Sequence, residues 1–403
     1  MVDLTYNHGV RVTESAETPV LVQLAETAVV GIIGTAPNAD AVKFPTDMPV
    51  LLTKPSDAAA LGDGGTLKEA VDGVLDQTGT YIVIVRVAED ADPAVQTSNI
   101  IGDATQKTGV HAFLKAEGLF GWKFKPRLLC APGFTSAFDG TNANPVASEL
   151  AVVAETLRAI AIVDGPDTTD DAAKAYRTKL NSQRLFIVDP KVMVWSTTLN
   201  DYVPQPASAR FCGVQARVDR EFGFWWSLSN KPIRGITGVT RAIAYGDHAN
   251  YLNVDGVNTI INTGEGFITW GNRVATGDDL WVFMSVRRTA DFINEAIEKA
   301  YMEFVDKPFT PANLKFLVES GRAFLRDLQA FGAILGGNVW IDPDKNDDLQ
   351  MASGRIVLSV EFEPPAPMED IKIIAHRNTL YYDVLLDGVL QELGNNGPLT
   401  EAA

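Results

Sequence analysis

Apolar side chains in residues 309–337 recur three and four positions apart, at Leu314, Leu317, Val318, Phe324, Leu325, Leu328 and Phe331. That spacing draws a single stripe along a helix. Thr310 is placed to cap the N-terminus, Pro311 suits the first turn, and Gly336-Gly337 can stop the helix. Lys315, Glu319, Arg322, Arg326 and Gln329 fall on the opposite stripe. The pattern therefore predicts a helix with one face for a core and one ionic face, which meets either water or a partner.

Elsewhere the period changes. Buried-strand runs at 27–37, 49–53 and 81–87 flank a helical pattern at 67–77. Further strands are predicted at 125–132, 159–164 and 184–190, alternating with helices at 148–158 and 170–180. Strand, helix, buried strand is the rhythm of a parallel α/β unit, so residues 26–278 read as an α/β domain, with a smaller sub-domain near 88–122. Residues 205–278 are rich in Gly, Asn and aromatics and suit a cleft or a subunit interface. After 281–288 a helix runs to about 305, with Ile293, Ala296, Ile297, Ala300 and Phe304 on one face. Three strand candidates follow at 355–363, 370–375 and 380–386, and the chain is tail-like after 393. Residues 1–25 show no helix period. They read as an extended arm, an edge strand either of its own domain or of a neighbour's, and the first is favoured on pattern alone.

Composition narrows the function. The formal charge of -17 over 403 residues argues against nucleic acid and against an anionic membrane surface. A hydrophobic content of 46% is that of a globular chain. Cys130 and Cys212 lack metal-ligand spacing and read as two buried thiols of a reducing compartment. The start carries no signal-peptide pattern and no run reaches transmembrane length, so folding in a cytoplasm is expected.

The chemistry of an enzyme is hard to assemble. His8, His111, His248 and His376 serve no GlyXaaSerXaaGly elbow and form no HisGluXaaXaaHis pair. Asp164, Asp189 and Asp219 lie at or near strand ends, where α/β enzymes keep catalytic groups but where turns also form. A hydrolase-like alternative would use Asp189 or Asp219 with His248 as acid and base. GlyAspGlyGly (62–65) lacks the Lys and Ser/Thr of a phosphate loop. Asp342, Asp344 and Asn346 begin a calcium-loop spacing, but Asp347 replaces the turn glycine and Ser353 the bidentate acid. No cofactor or metal is expected.

The order of motifs carries more. HisGlyValArgVal (8–12), ValValGlyIleIleGlyThrAlaPro (29–37), LeuGlyAspGlyGlyThrLeu (61–67) with ValIleValArgVal (83–87), and LeuLeuCysAlaProGly (128–133) occur in sequence. AlaIleValAspGlyPro (161–166), TrpSerLeuSerAsnLysProIleArgGly (226–235), TrpGlyAsnArg (270–273), ArgArgThrAlaAspPheIle (287–293), PheValAspLysPro (304–308), GlyAlaIleLeuGlyGly (332–337) and TyrTyrAspVal (381–384) follow. Together they resemble the sheath protein of contractile phage tails and R-type bacteriocins over nearly the whole chain. Val274 departs from the family, which usually has Thr there. The resemblance implies an outer α/β domain (26–278), subtilisin-like and non-catalytic. It is inserted between an N-terminal arm (1–25) and a C-terminal α+β domain (279–403), which holds a tube-facing helix (about 311–333) and a sheet (about 355–386). It also implies swapped terminal strand arms, which overturns the edge-strand preference for the N-terminal arm. Val10, Val12, Val20, Val22, Tyr382, Val384 and Leu386 would lie on those arms, and Lys315, Arg322 and Arg326 would meet the tail tube. The implied partners are further copies in a helical sheath, the tube protein, and baseplate and tail-terminator proteins, with no nucleic acid and no stable membrane insertion. The implied location is the virion tail, assembled in the host bacterial cytoplasm. Another structural virion protein, a capsid or tube component, is the intermediate alternative.

Overall fold

The computed structural model describes residues 27–197 and 199–394. In chain order its elements are β1 (Val30–Thr35), β2 (Pro49–Leu52), α1 (Leu67–Leu75), β3 (Ile82–Val87), α2 (Pro93–Ile101), α3 (Ala116–Phe120) and β4 (Leu128–Cys130). Next come α4 (Pro145–Leu157), β5 (Ile160–Asp164), α5 (Asp170–Thr178), β6 (Leu185–Val188), β7 (Val192–Ser196), β8 (Asp201–Gln205) and α6 (Ser208–Glu221). They are followed by β9 (Lys231–Pro232), β10 (Gly238–Val239), α7 (Asp247–Asn253), β11 (Val257–Asn262), β12 (Phe267–Trp270) and α8 (Met284–Tyr301). The last are α9 (Pro311–Ala330), β13 (Gly336–Ile341), α10 (Asp348–Ala352), β14 (Leu358–Glu363) and α11 (Tyr381–Glu392). Two compact units result, one ending at Pro367 and one beginning at Met368.

In the first unit a nine-stranded sheet runs β2-β3-β1-β4-β5-β6-β11-β12-β9. Its centre, β3 to β11, is parallel, and β2, β12 and β9 join antiparallel. Alternation sends successive side chains to opposite faces. Ile32, Ile84, Leu128 and Ile162 meet Val71 and Val74 of α1 and Phe211 and Val214 of α6. Ile33, Val83, Leu129 and Val163 meet Leu150 of α4, Tyr176 of α5 and Leu252 of α7. With helices on both faces the strands read as continuous apolar runs, which is why they were visible in the sequence. Residues near 100–116 join this core through Ile100, Val110 and Phe113 rather than forming a sub-domain. Gly65, at φ 72°, lets the loop into α1 pass close to β1; a Cβ there would lie 2.3 Å from the Thr35 carbonyl oxygen.

Helix α6 escapes the pattern reading. It is buried almost all round, and Arg210, Gln215 and Arg217 interrupt its apolar stripe from inside.

A third cluster joins Phe292, Ile293 and Ala296 of α8 to Phe324, Leu325 and Leu328 of α9 and Val339 of β13. β13 and β14 pair antiparallel as a two-stranded sheet. The Thr310 hydroxyl accepts from the Asn313 amide at 3.2 Å, the expected cap, worth about 1 kcal/mol. The predicted stripe of α9 is buried at Leu317, Val318, Phe324, Leu325 and Leu328, but Phe331 lies past the helix end and is 69% exposed.

Two predicted strands are absent. Residues 370–375 have neither helical nor paired-strand structure, and 380–386 lie largely within α11. Tyr382, Val384 and Leu386 are therefore helical rather than extended. The physical reason is that Tyr381 and Leu385 fill the gaps in the apolar alternation. The same residues then repeat at three and four, and a helix satisfies its backbone without a neighbouring strand.

Candidate functional site

The ionic face of α9 divides. The Arg322 Nε donates to Asn338 Oδ1 at 3.1 Å and to the Val339 carbonyl at 2.8 Å, and its Nη1 meets Glu319 at 3.0 Å. It therefore ties α9 to β13. Lys315 and Arg326 are exposed and bond to no other described side chain.

Behind α9, helix α8 carries buried charge. Asp291 takes Arg184 and Arg287, the latter at 2.9 Å. Glu295 accepts from Arg127 Nη2 at 2.6 Å and is approached by Lys299 at 3.3 Å and Lys125 at 3.8 Å. Asp219 holds Arg288 Nη1 at 2.7 Å, and Arg288 also donates to the Thr27 carbonyl at 3.1 Å. Burial pushes the Glu295 carboxyl up, but Arg127, Lys125 and Lys299 outweigh it and hold the group below its ordinary value. The apolar spacing predicted only the apolar face of α8. Acids and bases three and four apart within it, at Arg287, Arg288, Asp291 and Glu295, were the signal for the rest.

At the small sheet, β13 and β14 pair only with each other, so each has an outer edge without a partner among the described residues. In the second unit every residue from Met368 to Leu393 is exposed, including Ile371, Ile373, Tyr382, Leu385, Leu386 and Leu390. An apolar run of this extent with no core of its own marks a contact surface. Val10, Val12, Val20, Val22 and His8 lie outside the described residues.

Of the candidate catalytic groups, Asp189 and His248 belong to one ionic network, bridged by Arg241 and Asp170, with Arg241 Nε on Asp170 at 3.0 Å, while Asp219 belongs to a different one. Asp189 is paired with Arg241 and accepts the Asp167 amide at 2.7 Å. His248 Nε2 meets Asp170 at 2.7 Å, and its Nδ1 accepts the Ala244 amide at 3.3 Å. Asp219 is the counter-charge of Arg288. Asp164 takes the Ser208 amide at 2.9 Å and hydroxyl at 2.6 Å, holding the start of α6; burial raises its carboxyl to about 6. The crevice at the strand ends between β1 and β4, the usual ligand position in such sheets, is lined by Thr66, Glu69, Gly133, Lys191 and Arg210 and by neither His248 nor Asp219. His111 meets Glu149 at 3.0 Å. Asp342 and Asp347 accept amides of Asp344 at 3.1 Å and Gln350 at 2.6 Å, so the acidic stretch forms turns and caps α10. Cys130 and Cys212 are free, buried thiols in one core, and burial, with Cys212 beside it, holds Cys130 well above its ordinary value.

Comparison with known proteins decides the family. The family model described as the phage tail sheath protein central domain matches residues 106–275, and that of the phage tail sheath C-terminal domain matches 276–376. A putative prophage major tail sheath protein of Pseudomonas aeruginosa (strain UCBPP-PA14) is 38% identical over 91% of this chain and 95% of its own. The chain belongs to the contractile tail sheath family. The tail sheath protein of Escherichia phage P2 is 32% identical over 91% of this chain and 94% of its own. A sheath chain from the helical sheath of the anti-feeding prophage in its contracted state shares the fold, with a TM-score of 0.69 at 19% identity, over 93% of this chain and 100% of that one. The protein is thus a structural subunit of a contractile tail sheath, a component of a phage-type tail.

Proposed function

We propose that this sheath subunit polymerises helically around a tail tube, with both termini donated to adjacent copies, and that the lattice contracts to drive the tube through a bacterial envelope. The observation that carries this reading is the match of an unfilled sheet to an unhoused chain. Among the described residues β13–β14 has two open edges, and 368–379 carries Ile371 and Ile373 in alternation without a partner strand. Residues 371 and 373 replace Tyr382, Val384 and Leu386 as the strand-donating positions, since the latter are helical. Val10, Val12, Val20 and Val22 remain the positions proposed for the N-terminal arm.

Magnitudes separate the two kinds of contact. A donated strand with about five backbone hydrogen bonds contributes roughly 3–7 kcal/mol before apolar pairing. An exposed ion pair to a tube contributes about 0–1 kcal/mol. The woven contacts then hold while tube contacts release. Lys315 and Arg326 are the cations left for the tube; Arg322 braces the helix that presents them. Domain limits at 26–278 and 279–403 fit this division. The outer part is read as subtilisin-like, supported by its parallel sheet with helices on both faces, and as non-catalytic, because Asp189 and His248 are held in ion pairs with Arg241 and Asp170 and Asp219 is held by Arg288. Baseplate and terminator proteins are the proposed end partners, and the host cytoplasm the place of assembly.

Negative-stain microscopy of the purified protein alone tests this. Striated hollow tubules are expected; monodisperse particles across protein concentration and salt would overturn it. Deletion of residues 1–20 should leave a folded monomer that forms no tubules.

A further inference from the structure

Two kinds of contact hold the chain where the N-terminal arm meets the body. From Ala28 onward the sheet and its loops fix it. The Ala28 carbonyl accepts from the Thr80 hydroxyl at 2.7 Å, the Val29 carbonyl from the Arg127 amide at 2.9 Å, and the Val30 amide donates to the Tyr81 carbonyl at 3.0 Å. Thr27 is held differently. Its carbonyl accepts from Arg288 Nη2 at 3.1 Å, a side chain of α8 that stands 261 positions later in the chain. Among the described residues this is the one hydrogen bond that Thr27 makes. We propose that Arg288 is a positioning residue for assembly, which sets the direction in which residues 1–26 leave the subunit. The inference rests on the sheath reading above, in which that arm is donated to an adjacent copy.

Packing alone leaves Thr27 loose. It is half-buried between two clefts, one lined by Phe224, Arg288 and Phe292, the other by Thr80, Tyr81 and Asp219. The guanidinium that holds it is, by contrast, firmly placed. Arg288 is 7% exposed, and its terminal nitrogens bind Asp219 as a fork, Nη1 at 2.7 Å and Nη2 at 2.5 Å. A bidentate pair of this kind fixes orientation as well as position. Asp219 is fixed in turn by Gln215 Nε2 at 2.7 Å. Nη2 carries two protons; Asp219 takes one and the Thr27 carbonyl the other.

An arm that leaves in a fixed direction meets its acceptor sheet at a higher effective concentration than one that pivots at its root, and less of it is left to order on binding. The same pair ties the root to α6, which carries Asp219, and to α8. A pull on the arm is then taken by two helices as well as by the end of β1. A purely structural Arg288 would only neutralise the buried Asp219 carboxylate. The two roles part when both charges are removed together, since the Thr27 carbonyl then loses its donor while no charge is stranded.

The test combines Arg288→Met with Asp219→Asn in the full-length chain. The new amide keeps an acceptor for Gln215, and removing a buried pair whole costs far less than removing one partner. The urea midpoint of the monomer should stay close to wild type. A nitroxide on Thr27→Cys should gain mobility in the monomer, and the protein concentration needed for tubules should rise at least tenfold. If the double variant does not fold, Arg288→Lys carries the same test. Its ammonium keeps a charge opposite Asp219 but lacks the planar fork that reaches Thr27 as well, so both readouts should move in the same direction. In either variant, once folded, tubules at the wild-type concentration or an unmoved nitroxide overturn the assignment. The nitroxide reads the monomer, so a wild-type chain that never assembles overturns the sheath reading and is told apart from a failure of the Arg288 contact.

Discussion

The nine-stranded sheet and the segment after Pro367 contain similar apolar residues put to opposite use. Ile32, Ile84, Ile162 and Phe211 are fully enclosed by the helices of their own chain, whereas Ile371, Ile373, Leu385 and Leu386 are exposed among the described residues. On the proposed reading the first region is stabilised by folding and the second by assembly. Substitutions in the two should therefore separate: one set acts on unfolding, the other on polymerisation.

The largest contrast is expected between Phe211→Ala and Leu385→Ala. The first removes a fully buried ring and should cost about 3–5 kcal/mol in denaturant unfolding. The second should change unfolding of the monomer by less than about 0.5 kcal/mol while raising the concentration needed for tubules. Equal effects of both on unfolding would erase the distinction.

Next is the charge on α8. Glu295→Gln leaves Arg127, Lys125 and Lys299 facing one another and should cost about 3 kcal/mol near neutral pH. Because the Glu295 carboxyl is held below its ordinary value, its contribution is present above the ordinary carboxylate range and lost as pH falls through the folded-state value. The deficit of the variant should therefore shrink in acid, measured by urea unfolding across pH.

Asp164 has the opposite sign. With its carboxyl raised to about 6, the folded protein holds that proton better than the unfolded chain does. The resulting stability is full below about pH 4 and lost as pH rises through 6. Wild type should lose about 2–3 kcal/mol relative to Asp164→Asn over that interval. A difference that stays flat with pH would place the proton elsewhere.

These regions were not equally legible in the sequence. Strands β1, β3, β5 and β6 announce themselves because a parallel sheet covered on both sides demands unbroken apolar runs. Helix α9 announces itself because its two faces meet different surroundings and its cap is local. α6 was hidden because Arg210 and Arg217 point into the protein, where only tertiary partners explain them. α11 was misread because Leu380, Tyr382, Val384 and Leu386 satisfy a period of two as readily as the full run satisfies a period near 3.6. Spacing placed Arg322 on the ionic stripe, and spacing does not reveal that β13 offers it two acceptors.

The smallest effect belongs to the tube face. Lys315→Glu with Arg326→Glu should leave tubule formation unchanged and weaken co-sedimentation with tube protein severalfold, more at low salt than at high.

Hydrogen exchange of residues 368–394, compared between the monomer and assembled tubules, addresses the central claim most directly. If this segment is housed by other copies, its amides exchange freely in the monomer and slow by a hundredfold or more on assembly, while those of β1 and β5 stay slow in both. Exchange in 368–394 that remains fast in intact tubules would contradict the account.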